Sequence, residues 1–378
     1  MKQLSSLSRR ARWAVPAGTV VVVGGVLAGS MISVAQASPS LPAKTPAQLL
    51  AALAARPQTP PLTGTVVETS SLGLPSLPGT SSPTSIASLL TGSHTIRIWY
   101  ADGKHFRVAV PQNMSESDII RNGSNAWVWA STQNTVTHVA IPARAAQQAP
   151  KVPASEPPLT PQQAANEIMA KVGPTTTVRV DSNVTVAGQA AYQLVLVPKS
   201  ASSLIGQIRI AVDGRRDVPL RVQVVAKGAK NPALQIGFTS VSFVKPAGAN
   251  FVFTPPAGAK VEQQTLGSGS DQKTKKDPAR DGSVIGKGWL AVADLPSSVL
   301  SDATPAAGQR PSGSGLSGDT GEVVNALLKS ATPVSGSWGH GRLVKTSLIS
   351  VLIMDNGRVL AGAVTPQVLY SAAAQAAK

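Results

Sequence analysis

The sequence predicts an α+β protein built mainly on one wide antiparallel sheet that wraps a cavity. Three observations lead there. Between Thr63 and Lys245, short stretches of alternating apolar and polar residues recur about eleven times. Only one clear helical pattern, after Thr160, interrupts them. The stretch from His94 to Tyr100 puts Ile96, Ile98 and Tyr100 on one side and Thr95, Arg97 and Trp99 on the other, because successive strand side chains point to opposite faces. A half-apolar sheet of that width, with few helices to cover it, either stacks on a second layer or encloses a space.

The elements follow in order. Lys2, Arg9, Arg10 and Arg12 lead an uncharged run from Ala14 to Val34, and Ala35-Gln36-Ala37 supplies small residues before Ser38. Residues 1–37 therefore read as an export signal cleaved after Ala37, or retained as an N-terminal membrane anchor. Thr45 and Pro46 open a helix as N-cap and first helical residue, with Leu49, Leu50 and Leu53 on one stripe. Thr63–Ser70 is the first strand, and the Leu-, Pro- and Ser-rich excursion from Ser71 to Gly92 carries Leu74, Leu77, Leu89 and Leu90 as a lid loop.

His94–Tyr100 and His105–Val110 form a hairpin around Asp102-Gly103, and Ile119–Arg121, Ala126–Ala130 and Thr135–Ile141 continue the meander past Asn122-Gly123. After a Pro- and Ala-rich link, Thr160 and Pro161 open a second helix that Gly173-Pro174 closes. Longer strands follow at Thr176–Val186, Ala190–Val197, Ile205–Asp213, Pro219–Lys227 and Ala233–Lys245, and Phe251–Thr254 with its prolines ends the unit. The chain thus divides into an open-barrel domain over residues 45–256, a Gly-, Ser- and Lys-rich linker over 257–282, and a small α+β domain over 283–378. In the last, Glu322–Ser330 reads as helix, Leu343–Met354 and Arg358–Val364 as a hairpin around Asp355-Asn356-Gly357, and Thr365-Pro366 caps a final helix.

Composition narrows the chemistry. The chain has 0 Cys, so neither a disulfide nor a lipid-bearing thiol is available. Its formal charge of +16 is spread rather than clustered and is not interleaved with aromatics, which argues against nucleic acid and suits an anionic membrane surface or wall polymer. His94, His105, His138 and His340 stand in no metalloprotease spacing, although His94 and His105 have the spacing to meet across the first hairpin. Gly313–Gly318 matches G-x-G-x-x-G but follows no strand. Asp319-Thr320-Gly321 matches an aspartic-protease triplet without a second copy. No metal, cofactor or catalytic residue is expected, and the chain reads as a non-enzyme, with a secreted enzyme of unrecognised type as the weakest reading.

The positive signal is apolar. Ile96, Ile98, Phe106, Val108, Trp127, Trp129, Tyr192, Leu194, Leu196, Ile208, Ile210, Val222, Val224, Ile236 and Phe238 are expected along one face of the meander, lining a cavity for an apolar ligand. The competing reading is that helices and the Leu-rich loop fill that space completely.

The order of elements resembles the LolA-like superfamily of periplasmic lipoprotein carriers and RseB- or MucB-type regulators. The likeness is carried by Thr95–Phe106, by Ile119–Trp129, by Ile208–Gly214 followed by Leu220–Val224, and by Val241–Phe243 with Phe251–Phe253. It implies an open, incomplete antiparallel barrel lidded by helices and a loop. Its implied ligands are lipid or lipoprotein acyl chains. A second implied role is an envelope sensor controlling a membrane anti-sigma partner, since RseB-like members also carry a smaller C-terminal unit.

Overall fold

The structure, a computed structural model, describes residues 38–55, 59–73, 91–112, 114–142, 173–265, 282–296 and 329–376. The lid-loop leucines Leu74, Leu77, Leu89 and Leu90, the Thr160 helix and the export segment lie outside these residues.

Two up-and-down meanders make the large sheet. The first comprises β1 (Leu62–Ser71), β2 (Thr91–Asp102), β3 (His105–Gln112), β4 (Ser115–Asn122), β5 (Asn125–Ala130) and β6 (Thr135–Ala140). The second comprises β7 (Thr176–Val186), β8 (Gln189–Pro198), β9 (Ile205–Asp213), β10 (Pro219–Ala226) and β11 (Pro232–Ser242). β1 pairs with β11, joining the first strand of one meander to the last of the other. With β12 (Lys260–Thr265) on the outside of β6, the strand order is β12-β6-β5-β4-β3-β2-β1-β11-β10-β9-β8-β7, a twelve-stranded sheet that does not close.

Local chemistry sets the register. Ala187 and Gly188 turn β7 into β8 with φ of 50° and 75°, the left-handed pair that a two-residue hairpin needs. The Asp102 carboxylate accepts from the Lys104 backbone N–H at 2.7 Å and pairs with His105 at 2.9 Å to shape the β2–β3 turn. Register shifts interrupt β1–β11, β2–β3, β7–β8, β9–β10 and β10–β11. Such bulges increase local twist, and β7 curls round far enough to touch β11. Gly64 is required at one close approach, because a Cβ there would stand 2.7 Å from the Phe238 ring.

The helix α1 (Pro46–Ala54) starts in a capping box: the Gln48 N–H donates to Thr45 Oγ1 at 3.2 Å and the Thr45 N–H to Gln48 Oε1 at 2.8 Å. The segment before it is tied to the second meander. Tyr192 Oη donates to the Pro42 carbonyl at 2.6 Å, and Lys44 pairs with Asp217 at 2.8 Å.

The smaller sheet, in the order β13-β14-β18-β17-β16-β15, uses β13 (Ser283–Ile285), β14 (Val292–Leu295), β15 (Thr332–Gly336), β16 (Gly339–Lys345), β17 (Ser350–Met354) and β18 (Val359–Gly362). The helix α2 (Pro366–Ala376) covers it, burying Leu369, Ala372 and Ala373 against Leu343, Leu352 and Leu360. The two sheets touch directly. Ser203 bridges Val364, Trp289 Nε1 donates to Thr176 Oγ1 at 2.7 Å, and Leu348 packs on Leu72, Ala226 and Ala233.

Two expectations are revised, and one open possibility is closed. Lys260–Thr265, assigned from sequence to the linker, forms β12 and runs parallel to β6, so the sheet is not wholly antiparallel. Leu343–Met354, expected as one strand, breaks at Thr346, whose Oγ1 accepts from the N–H groups of Leu348 and Ile349 at 3.2 and 2.9 Å and turns β16 into β17. His94 and His105 do not meet: His94 stands opposite Glu68 on β1, and His105 opposite Asn122 on β4.

Candidate functional site: one apolar sheet face

Registers decide which side chains share a face, since residues paired across strands point the same way. One row runs Ile98, Val108, Ile119, Val128 from β2 to β5. Another runs His94, Glu68, Ile236, Val222, Ile210, Leu194, Val180 from β2 to β7. A third runs Ser70, Leu234, Val224, Ile208, Leu196, Val178. Ile96 and Phe238 flank Val66, Phe106 stands beside Tyr100, and Tyr192 stands beside Val212 on the same face. Thirteen of the fifteen expected lining residues are therefore brought together.

Trp127 and Trp129 are the exceptions. They stand opposite Ile120 and Asp118 and point to the other face, where the chain leaving β11 straps across them. Phe253 packs on both rings at 6.3 and 6.5 Å, and His138 stacks on Trp127 at 5.2 Å. Their places on the shared face belong to Ala126, Val128 and Ala130. In the second meander the outer face is mixed: Gln193, Arg209, Gln223 and Gln235 share it with the buried Val195 and Ala211, and Gln223 donates to Gln235 at 2.6 Å.

The shared face has two regimes. Beneath α1, Leu49 packs on Tyr192 and Leu194 with Leu50, Leu53, Val178 and Ile210 around them, and Leu194 is 0% exposed. Away from α1 the described residues of this face are unevenly covered: Ile119, Val128 and Ile236 are 48%, 42% and 41% exposed, whereas Val66 and Ser70 on β1 are each 5% exposed. Ile119 and Val128 are missing from the sequence-based lining set.

One charged group sits within this surface. Glu68 is 7% exposed, flanked across the strands by His94 and Ile236, and neither of its carboxylate oxygens has a hydrogen-bond partner. Burial pushes its carboxyl above the usual range, partly offset by the nearby His94. On the opposite face Arg107 holds Asp118 and Glu116, and burial, followed by the hydrogen bond with Glu116, pushes Asp118 up to about 6. Among the described residues no group of three or more His, Asp or Glu side chains is placed to hold a metal ion.

Fold and face together define an open twelve-stranded sheet with exposed apolar side chains, Ile119, Val128 and Ile236, on the face that α1 partly covers. No protein-family model matches the sequence, and no curated protein does. Solved structures are similar to it. One is the MucA/MucB complex of Pseudomonas aeruginosa, at 14% identity over 87% of this chain and 96% of that chain, with a TM-score of 0.42. A structure of MucB matches at 12% identity over 86% of this chain and 95% of its own, with a TM-score of 0.37. A LolA-superfamily protein of Nitrosomonas europaea matches at 11% identity over 56% of this chain and 99% of its own, with a TM-score of 0.20.

Proposed function

We propose that the chain is a non-catalytic, extracytoplasmic binding protein that holds lipid or lipoprotein acyl chains against the shared face. The observation that carries this reading is the exposure of Ile119, Val128 and Ile236 on the face that also bears Ile98, Val108, Val222 and Ile210. Binding would be driven by burial at about 0.8 kcal/mol per methylene, so a sixteen-carbon chain contributes on the order of 10 kcal/mol before ordering costs. Residues 1–37 and the absence of cysteine fit export without a lipid anchor.

A second reading, a MucB-like sensor that controls a membrane anti-sigma partner, is favoured by one observation. Leu348, between β16 and β17, joins Leu72, Ala226 and Ala233 in a buried cluster that Val224 and Leu234 of the apolar face pack against. Ligand on that face would then bear on how the two sheets meet.

The test is mass spectrometry of an organic extract from detergent-free protein purified from its own host. A stoichiometric acylated lipid is expected. Preparations that are repeatedly empty, and that take up no fluorescent acyl probe, refute the reading.

A further inference from the structure

Glu68 is an anomaly on the apolar face. A carboxyl group buried with both oxygens unpaired loses its hydration and gains no hydrogen bond in return, a cost that native proteins rarely leave standing without cause. Its position sharpens the point. Cross-strand neighbours on the same face are His94 on β2 and Ile236 on β11, and the next residues along β1 on that side are Val66 and Ser70. Ile236, directly beside it on β11, is 41% exposed, so an exposed apolar side chain stands next to the buried, unpaired carboxyl.

We propose that the Glu68 carboxyl is the polar anchor of the ligand site and selects a neutral, hydroxyl-bearing acyl ligand of the acylglycerol type over a free fatty acid. This deepens the acyl-binding reading and rests on it. The apolar surroundings favour the uncharged carboxyl, which carries one O–H donor and acceptor oxygens. A hydroxyl head offers the matching acceptor and donor, and it brings no charge of its own to a site that penalises charge. A fatty-acid head, ionised at neutral pH, brings a negative charge to a group that is itself an acid.

The experiment measures 1-monopalmitoylglycerol and palmitate, which share one chain, on the intact exported protein after delipidation. At pH 7 the wild type should bind monopalmitoylglycerol at least tenfold more tightly than palmitate. Glu68→Leu should weaken monopalmitoylglycerol about tenfold, the worth of one to two hydrogen bonds, while leaving palmitate unchanged. The same variant should raise the melting temperature of the lipid-free protein, because it removes an unpaired buried carboxyl. Glu68→Gln keeps a donor and an acceptor and should retain affinity.

Raising the pH should weaken monopalmitoylglycerol binding to the wild type as Glu68 ionises, and should not affect Glu68→Gln. His94 is the one titratable group facing Glu68 from the neighbouring strands, β11 contributing Leu234, Ile236 and Phe238. His94→Gln should therefore leave the high-pH loss in place. Equal affinity for both probes, preference for palmitate, or indifference to both Glu68 substitutions overturns the anchor while acyl binding stands. Failure of either probe to bind the wild type removes the acyl-binding reading and the anchor together.

Discussion

Leu194 and Ile236 lie in the same row of the apolar face, yet a substitution at each should do opposite things. Leu194 is 0% exposed under Leu49 of α1, so Leu194→Ala leaves a cavity in a closed cluster. Truncations of that kind cost about 2 to 5 kcal/mol, and at about 2 to 4 °C per kcal/mol for a chain of this order the melting temperature should fall by about 4 to 20 °C. Ile236 is 41% exposed, so Ile236→Ala removes three carbons of which about three-fifths of the surface is buried, for about 1.4 kcal/mol. Ile236→Asp, whose charge reaches water, should fold. It should nevertheless abolish uptake of a fluorescent acyl probe by placing a carboxylate where the chain lies. Circular dichroism melts and probe titrations on the three variants separate the effects. If Ile236→Asp melts as low as Leu194→Ala, the open part of the face is a filled core; if it folds and binds the probe like the wild type, ligand does not lie there.

Other predictions concern the rest of the sheet. Asp118 is raised from 3.8 to about 6, chiefly by burial. The folded protein therefore holds that proton more tightly than the unfolded chain, and the stability this contributes is complete below pH 3.8 and lost as pH rises through about 6, worth about 3 kcal/mol. Denaturant titrations should show a decline between pH 4 and 7 that Asp118→Asn largely removes, and an unchanged decline in the variant counts against the assignment. Leu348→Asp should loosen the contact between the sheets without unfolding either, since each has its own core. By hydrogen exchange the Ser347 and Leu204 amides, which donate to Leu72 and Ala363 at 2.9 Å, should lose protection while Leu194 and Leu352 keep theirs. A uniform loss would mean the sheets unfold as one.

The strands were legible because alternation and turn chemistry agreed. Thr176–Val186 and Ile205–Asp213 form over the ranges read from the sequence, each ending at a hairpin signal. What alternation did not settle was which parity of β5 faces inward. Choosing the tryptophans put the larger apolar residues inside, whereas the Gly123-Ser124 turn pairs Asn122 with Asn125 and so couples Ile119 to Val128. Glu68 carried a signal of its own, as the one acid in the series Leu62, Gly64, Val66, Glu68, Ser70 on an otherwise buried parity. β12 has almost no apolar residues to read, because it is held by backbone pairing to the outside of β6. The turn at Leu348 looked like strand for the opposite reason: that leucine is apolar to suit the other sheet, not its own.

The division of one face into a packed end and an open end resolves a conflict between stability and binding. A sheet that exposes isoleucines and buries an unpaired acid gives up stability at the site. The loss is offset locally, where α1, its capping box and the Tyr192 and Lys44 contacts close β7 to β9 over fully buried leucines. A second offset comes on the reverse side, where Phe251, buried beside His105, and Phe253, against the two tryptophans, brace β3 to β6 from behind. The strands that carry the exposed Ile119, Val128 and Ile236 are thus held from the end of the sheet and from its back. Those three side chains can stay exposed without the strands losing their register, and the apolar surface that a ligand would bury there is left out of the account that keeps the protein folded.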